Sequence, residues 1–200
     1  IMLQRAAALA AEQDDSESGG SAHLILGQVF SVHGKTKEAV QAYERAHTLF
    51  GDLGGPTRSA IPLDRIASLY HDVGELERSL DYYNRSLATI GQGEENPMLP
   101  ELLNNIGSVH LDNGNPQQAD VHFRRALETA LKLKDQPQTA SALINIGMVS
   151  EERSEPEKAL RYYKQSLKIR EELGETLDLA LCLDNIGAIY ETSGELGQAL

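Results

Sequence analysis

An all-α solenoid of stacked helix-turn-helix hairpins is the fold class this sequence predicts, and two observations carry that expectation. The first is a strict internal period. The pairs Leu26-Gly27, Ile66-Ala67, Ile106-Gly107, Ile146-Gly147 and Ile186-Gly187 follow one another every 40 residues without an insertion. Beyond them, in the same register, come Ala39, Ser79, Ala119, Ala159 and Ala199, then the rings of Tyr43, Tyr83, Phe123 and Tyr163, then Ala46, Ser86, Ala126 and Ser166. The second is the helical spacing of apolar positions such as Ile106, Val109 and His110, which gives a helix one buried face. Self-similarity of this kind marks units that cannot bury their apolar face alone and bury it by stacking.

The elements follow in order. Residues 1–12 carry Leu3, Arg5, Ala6 and Leu9 one period before Tyr43, Arg45, Ala46 and Leu49, which predicts the second helix of a preceding unit. Units are expected over 20–59, 60–99, 100–139 and 140–179, with a partial unit over 180–200. Inside each, the small residue at the Gly107 column lets a second helix come close, the Ala119 column is its counterpart, and the Phe123 column fills the space between. Gly34, Gly74, Gly114 and Gly194 suit the left-handed geometry that closes a first helix, with Ser154 the exception. Asn115-Pro116 reads as the cap and first turn of a second helix that reaches about Lys134, and the second helices are expected to be the longer ones. Gly91 to Pro97 reads as a connection between hairpins. Both ends of the chain fall inside a unit, which leaves open a fragment of a longer array or head-to-tail docking of copies.

Composition narrows the function. Thirty acidic residues against 18 Lys and Arg give a net charge of −12, which argues against a nucleic-acid or anionic-membrane surface. The single cysteine, Cys182, excludes an intramolecular disulfide or a thiolate zinc cage, and its position among Leu183 and Ile186 predicts a buried small hydrophobe. No run of apolar residues is long enough to span a bilayer. The first residues lack the order of a signal peptide, so a cytoplasmic setting is expected.

The columns Leu-Gly, aromatic, Ala, aromatic, Ala resemble the tetratricopeptide repeat across nearly the whole chain. A 40-residue unit is similar to the long-repeat branch of that family, which includes kinesin light chain, Pins-type polarity adaptors and the sensor arrays of bacterial signalling proteins. Tyr162 to Arg170 looks most like the last group. Ser150 and His110 depart from the aromatic column of Phe30, Tyr70 and Tyr190. The resemblance implies a right-handed superhelix whose first helices line a concave peptide groove.

No catalytic constellation is found. The histidines at 23, 33, 47, 71, 110 and 122 make no pair with the spacing of a helical zinc site. His110 is read as a hydrogen-bonded packing residue. Asp112 to Gly114 fails as a calcium loop because Phe123 stands where a bidentate carboxylate is required. Phosphate-cradling and nucleophile-elbow motifs are missing, and Asn84-Arg85-Ser86 is a sequon of little meaning in mid-helix. No metal, cofactor or catalytic residue is expected, and the chain is not expected to be an enzyme.

By the resemblance, groove positions lie 6, 3 and 2 residues before the glycine column and 1, 4 and 5 after it. The position two before reads Ile25, Arg65, Asn105, Asn145, Asn185. Three successive amides can pair with both C=O and N–H of an extended peptide; bridging between neighbouring helices is the alternative. Acidic groove positions are Asp64, Asp72, Glu101, Asp112, Glu151, Glu152, Asp184 and Glu191, against Arg65 alone, with Asn104 among the polar ones. Such a surface favours a Lys- or Arg-rich partner and disfavours the chaperone-binding clamp of some relatives, although a solvated acidic face would look the same. Leu24, Ile25, Val32 and Met148 add apolar spots, either an anchor pocket or surface covered by other parts of the array. The expected function is a non-catalytic scaffold holding an extended basic peptide. Alternatives are the sensor array of a longer signalling protein, or a structural array packed on itself, for example through the segment around Gly91 to Pro100.

Overall fold

The computed structural model describes residues 16–53, 55–91, 95–174 and 176–193. Among these residues there are nine α-helices and no strand. They are α1 (Ser16–Val32), α2 (Thr36–Asp52), α3 (Pro56–Asp72), α4 (Leu76–Ile90), α5 (Leu99–Asp112), α6 (Pro116–Leu133), α7 (Gln136–Glu152), α8 (Pro156–Leu173) and α9 (Thr176–Ser193). The expected helix over 1–12, Gly194 and the last residues, Ala199 and Leu200, lie outside the described residues. So does part of the connection after Gly91. The chain divides into two compact units, Ile1–Met98 and Leu99–Leu200.

In the first unit α1 pairs with α2 and α3 with α4, and α2 lies on α3. In the second, α5 pairs with α6 and α7 with α8; α6 lies on α7, α8 on α9, and α5 reaches α7 directly. The boundaries expected at residues 20, 60, 100, 140 and 180 therefore fall inside first helices. The second helices of the second unit, α6 and α8, have 18 residues each against 14 and 17 for α5 and α7, as expected, whereas in the first unit α3 has 17 and α4 has 15. Leu99 begins an ordinary first helix, and Asn96 before it donates to Thr57 Oγ1 (3.1 Å) and accepts from Met98 N (3.0 Å). Asn96 thus ties the described part of this segment to the start of α3.

Three of the four described hairpins are held by a ring laid on a bare backbone. A β-carbon at Gly107 would meet Phe123 Cε1 at 2.4 Å, and one at Gly147 would meet Tyr163 Cε1 at 2.4 Å. Glycine is needed in this column because the ring of the second helix occupies the place of its side chain. Both rings are fully buried, and so are Ala119 and Ala159, which bring the second helix close. In the remaining hairpin Ala67 stands in the glycine's column, and it and Tyr83 are both buried.

The turns repeat a single hydrogen-bond pattern. Lys35 N donates to Phe30 O and Gly34 N to Ser31 O; the same pairs recur at Glu75 and Gly74, Asn115 and Gly114, Glu155 and Ser154. This two-bond motif needs a left-handed residue after the helix. Gly114 supplies it at φ 70°, and Ser154 adopts it at φ 59° despite its β-carbon. Asn115 precedes Pro116 as expected, but its side chain does not cap α6: it turns back to donate to Asn113 O (3.2 Å). The side-chain cap that does form is Asp135 Oδ1, which accepts from Gln138 N (3.0 Å) at the start of α7.

Paired rings occupy a further column. Tyr70 stacks on Tyr82 with centroids 5.6 Å apart, and His110 stacks on His122 at 5.3 Å. His110 was expected to be a hydrogen-bonded packing residue; its buried Nδ1 has no hydrogen-bond partner, and its ring stacks on His122. Cys182 is fully buried, as its neighbours predicted.

Two substitutions test this account of the hairpin. Gly147→Ala pushes a methyl into Tyr163 and is expected to lower stability by about 1–3 kcal/mol. Ser154→Gly removes a strained left-handed serine and is expected to raise it by about 1 kcal/mol. Chemical denaturation of the full chain measures both.

Candidate functional site

The first helices of the second unit, α5, α7 and α9, share a surface: α5 touches α7 directly, and residues of all three line one depression. The expected groove residues are distributed along it. Asn104, Asn105 and Asp112 sit on α5; Asn145, Met148 and Glu152 on α7; Asp184 and Asn185 on α9. Leu111, Met148, Glu151, Glu152 and Asn185 line an open depression of about 470 Å³. The structure thus brings Met148, Glu152 and Asn185 together at one place.

An amide network fixes the relation of α5 to α7. Asn104 Nδ2 donates to Gln138 Oε1 (3.2 Å), and Asn145 Nδ2 donates to Asn104 Oδ1 (3.4 Å). Gln138 is held in turn at the capped start of α7. Asn145 is therefore a bridge between neighbouring first helices, the alternative that its spacing left open, and it is half-buried. Asn104 is only 5% exposed, so burial makes it a strut under the surface and not a contact residue. Asn105 and Asn185 are half-buried on α5 and α9.

Charge on this surface is of one sign. The groove positions of the second unit carry Glu101, Asp112, Glu151, Glu152, Asp184 and Glu191, all exposed, and no Lys or Arg. Glu151 also accepts the hydroxyl proton of Tyr163, so the ring under Gly147 is tied to the rim of the depression. Burial first, and then this carboxylate, push the Tyr163 hydroxyl far above its ordinary pKa, so it stays a donor.

In the first unit, Arg65 is exposed on α3 and Asp72 is exposed at that helix's last residue. Asp64 departs from expectation: at 5% exposure its carboxylate is packed within the hairpin and does not add to an acidic surface. On α1, Ile25 and Val32 are exposed, and Met148 in the second unit is 40% exposed. Leu24 is partly buried against the cluster around Tyr43 and Leu69.

Two residues of the site escaped sequence reading. Leu111 lies four after the glycine column, a groove position whose other members are Ser31, His71, Glu151 and Glu191, so its apolar character was the available signal. Gln138 lies outside every groove column, and only the fold brings it to Asn104. Among the described residues, no group of three His, Cys, Asp or Glu side chains could hold a metal ion, and no helix is long and apolar enough to cross a membrane.

The sequence profile described as tetratricopeptide repeat matches residues 57–132, 98–172 and 138–200. No curated protein matches the sequence. Among solved structures, BtubC (BKLC) from P. vanneervenii is similar at 21% identity with a TM-score of 0.83, over 100% of this chain and 87% of that one. The TPR-like repeats of a putative kinesin light chain from Podosopora anserina match at 13% identity and a TM-score of 0.71, over 90% and 88%. A Rap protein complexed with competence and sporulation factor matches at 19% identity and a TM-score of 0.76, over 92% of this chain and 52% of that one. At these identities the likeness is one of fold.

The amide network carries a prediction. Asn104→Ala deprives Gln138 and Asn145 of their partner between α5 and α7 and is expected to lower stability by about 1–2 kcal/mol, measured by denaturation of the full chain.

Proposed function

Because this chain belongs to the tetratricopeptide repeat family, we propose that it is a non-catalytic protein-binding scaffold whose α5–α7–α9 surface takes an extended, basic peptide segment. The observation that carries this reading is the depression lined by Leu111, Met148, Glu151, Glu152 and Asn185. Leu111 and Met148 suit the methylene stem of a Lys or Arg side chain, and Glu151 and Glu152 suit the charged head. Asn105, Asn145 and Asn185 are the candidate partners for peptide backbone, which an amide can read in both directions. The Rap protein's complex with competence and sporulation factor supports the capacity of such a fold to hold a partner. An extended peptide must be ordered on binding, so an affinity on the order of micromolar is expected.

Selection of a displayed random-peptide library on the full chain tests the reading, with the Asn105→Ala, Asn145→Ala, Asn185→Ala variant as counter-target. Basic peptides that lose the variant are the expected outcome. If nothing is enriched, or the variant keeps every binder, the groove is not the site.

A further inference from the structure

The repeat writes the same ring pair in different chemistry from hairpin to hairpin. Where α3 and α4 stack Tyr70 on Tyr82, α5 and α6 stack His110 on His122, with centroids 5.3 Å apart and planes 14° from parallel. In both imidazoles Nδ1 is buried and has no hydrogen-bond partner. A bare lone pair is a far cheaper occupant of such a position than an N–H with no acceptor, so each ring is neutral with its proton on Nε2. From this geometry we infer that the His110–His122 stack is a pH-sensitive clasp between α5 and α6, closed when both rings are neutral and weakened when either takes up a proton.

The physical argument has two steps. A first proton must go onto a buried nitrogen that has no acceptor, which costs desolvation without a compensating hydrogen bond. A second would place two like charges face to face within the same stack. The surroundings oppose protonation further. Burial lowers the pKa of both rings, and for His122 the charges of His110 and Arg125 act in the same direction. The nearest acid on α6, Asp120, is taken up by Arg124 (3.0 Å) and by Arg153 at the end of α7 (3.4 Å). Tyr162 of α8 bonds to Arg124 in turn, and the acid nearest His110 in sequence, Asp112, is exposed at the end of α5.

The sign follows from these directions. A histidine whose folded pKa lies below the unfolded value of 6.5 binds its proton more tightly when unfolded. Its stabilising contribution is complete above that value and is lost as the pH falls from there through the lower folded pKa. A tyrosine pair in the same place has no such transition. His110 directly precedes Leu111, which lines the depression, so opening this clasp loosens the site; that consequence rests on the proposed function, and the clasp itself does not.

Two measurements on the full chain test the clasp. Imidazole resonances followed by NMR between about pH 8 and 5 are expected to show both histidines titrating below 6.5 in coupled steps. Hydrogen exchange over the same range is expected to show protection of the α5 and α6 amides falling on the order of tenfold. The His110→Tyr, His122→Tyr variant, which copies the pair of the preceding hairpin, is expected to abolish most of that fall. His122→Tyr alone, which removes the second charge with a smaller change of shape, is expected to reduce it. Titration of either ring at or above 6.5 overturns the clasp. So does an equal loss of protection in the unmodified chain and in the tyrosine variants.

Discussion

The rings of Phe123 and Tyr163 lie where a β-carbon would stand on the facing helix, 2.4 Å from the place that side chain would occupy. That contact sets how near the two helices of a hairpin come. It also sets what each hairpin offers to the next, because a close pair leaves one continuous apolar face and not two separate stripes. Ala119 and Ala159 allow the approach from the other helix, and the two-bond turn at Gly114 or Ser154 returns the chain at the angle the ring requires. A larger residue at Gly107 would move the second helix outward, and the successive first helices would lose their alignment.

The surface on α5, α7 and α9 depends on that alignment. α5 reaches α7 only because their second helices are tucked behind them, and the link between the two is polar. Gln138, Asn104 and Asn145 pass hydrogen bonds from the capped start of α7 across to α5 and back. Buried amides held in this way restrict sliding, since a shift of one helix leaves a partner unsatisfied. Glu151 links the two levels of the structure: its carboxylate belongs to the rim of the depression and also receives the hydroxyl of the ring that packs under Gly147.

Much of this was legible in the order of residues. The period of 40 placed every ring, small residue and turn glycine of the described hairpins in its column, because a repeat states its own packing several times over. Ser154 could be recognised as an exception, and the turn geometry overruled its side chain. The site was less legible. Column position does not reveal depth, so Asp64 and Asn104 were counted with the exposed residues although the hairpins bury them. Nor does it reveal partners: Gln138 and His122 act through residues on other helices, and the stack of His110 on His122 depends on a lateral distance that spacing along the chain does not encode.

Salt dependence of affinity addresses the acidic surface most directly. A lysine-rich extended peptide would be titrated into the full chain by calorimetry at several ionic strengths. Exposed carboxylates meeting cations across water are screened as the Debye length shrinks from about 10 Å at 0.1 M to about 3 Å at 1 M. The account predicts affinity that falls steadily with added salt, and a glutamate-substituted control peptide that does not bind. Affinity indifferent to salt, or equal binding of the acidic control, would contradict it while leaving the helical-repeat fold untouched.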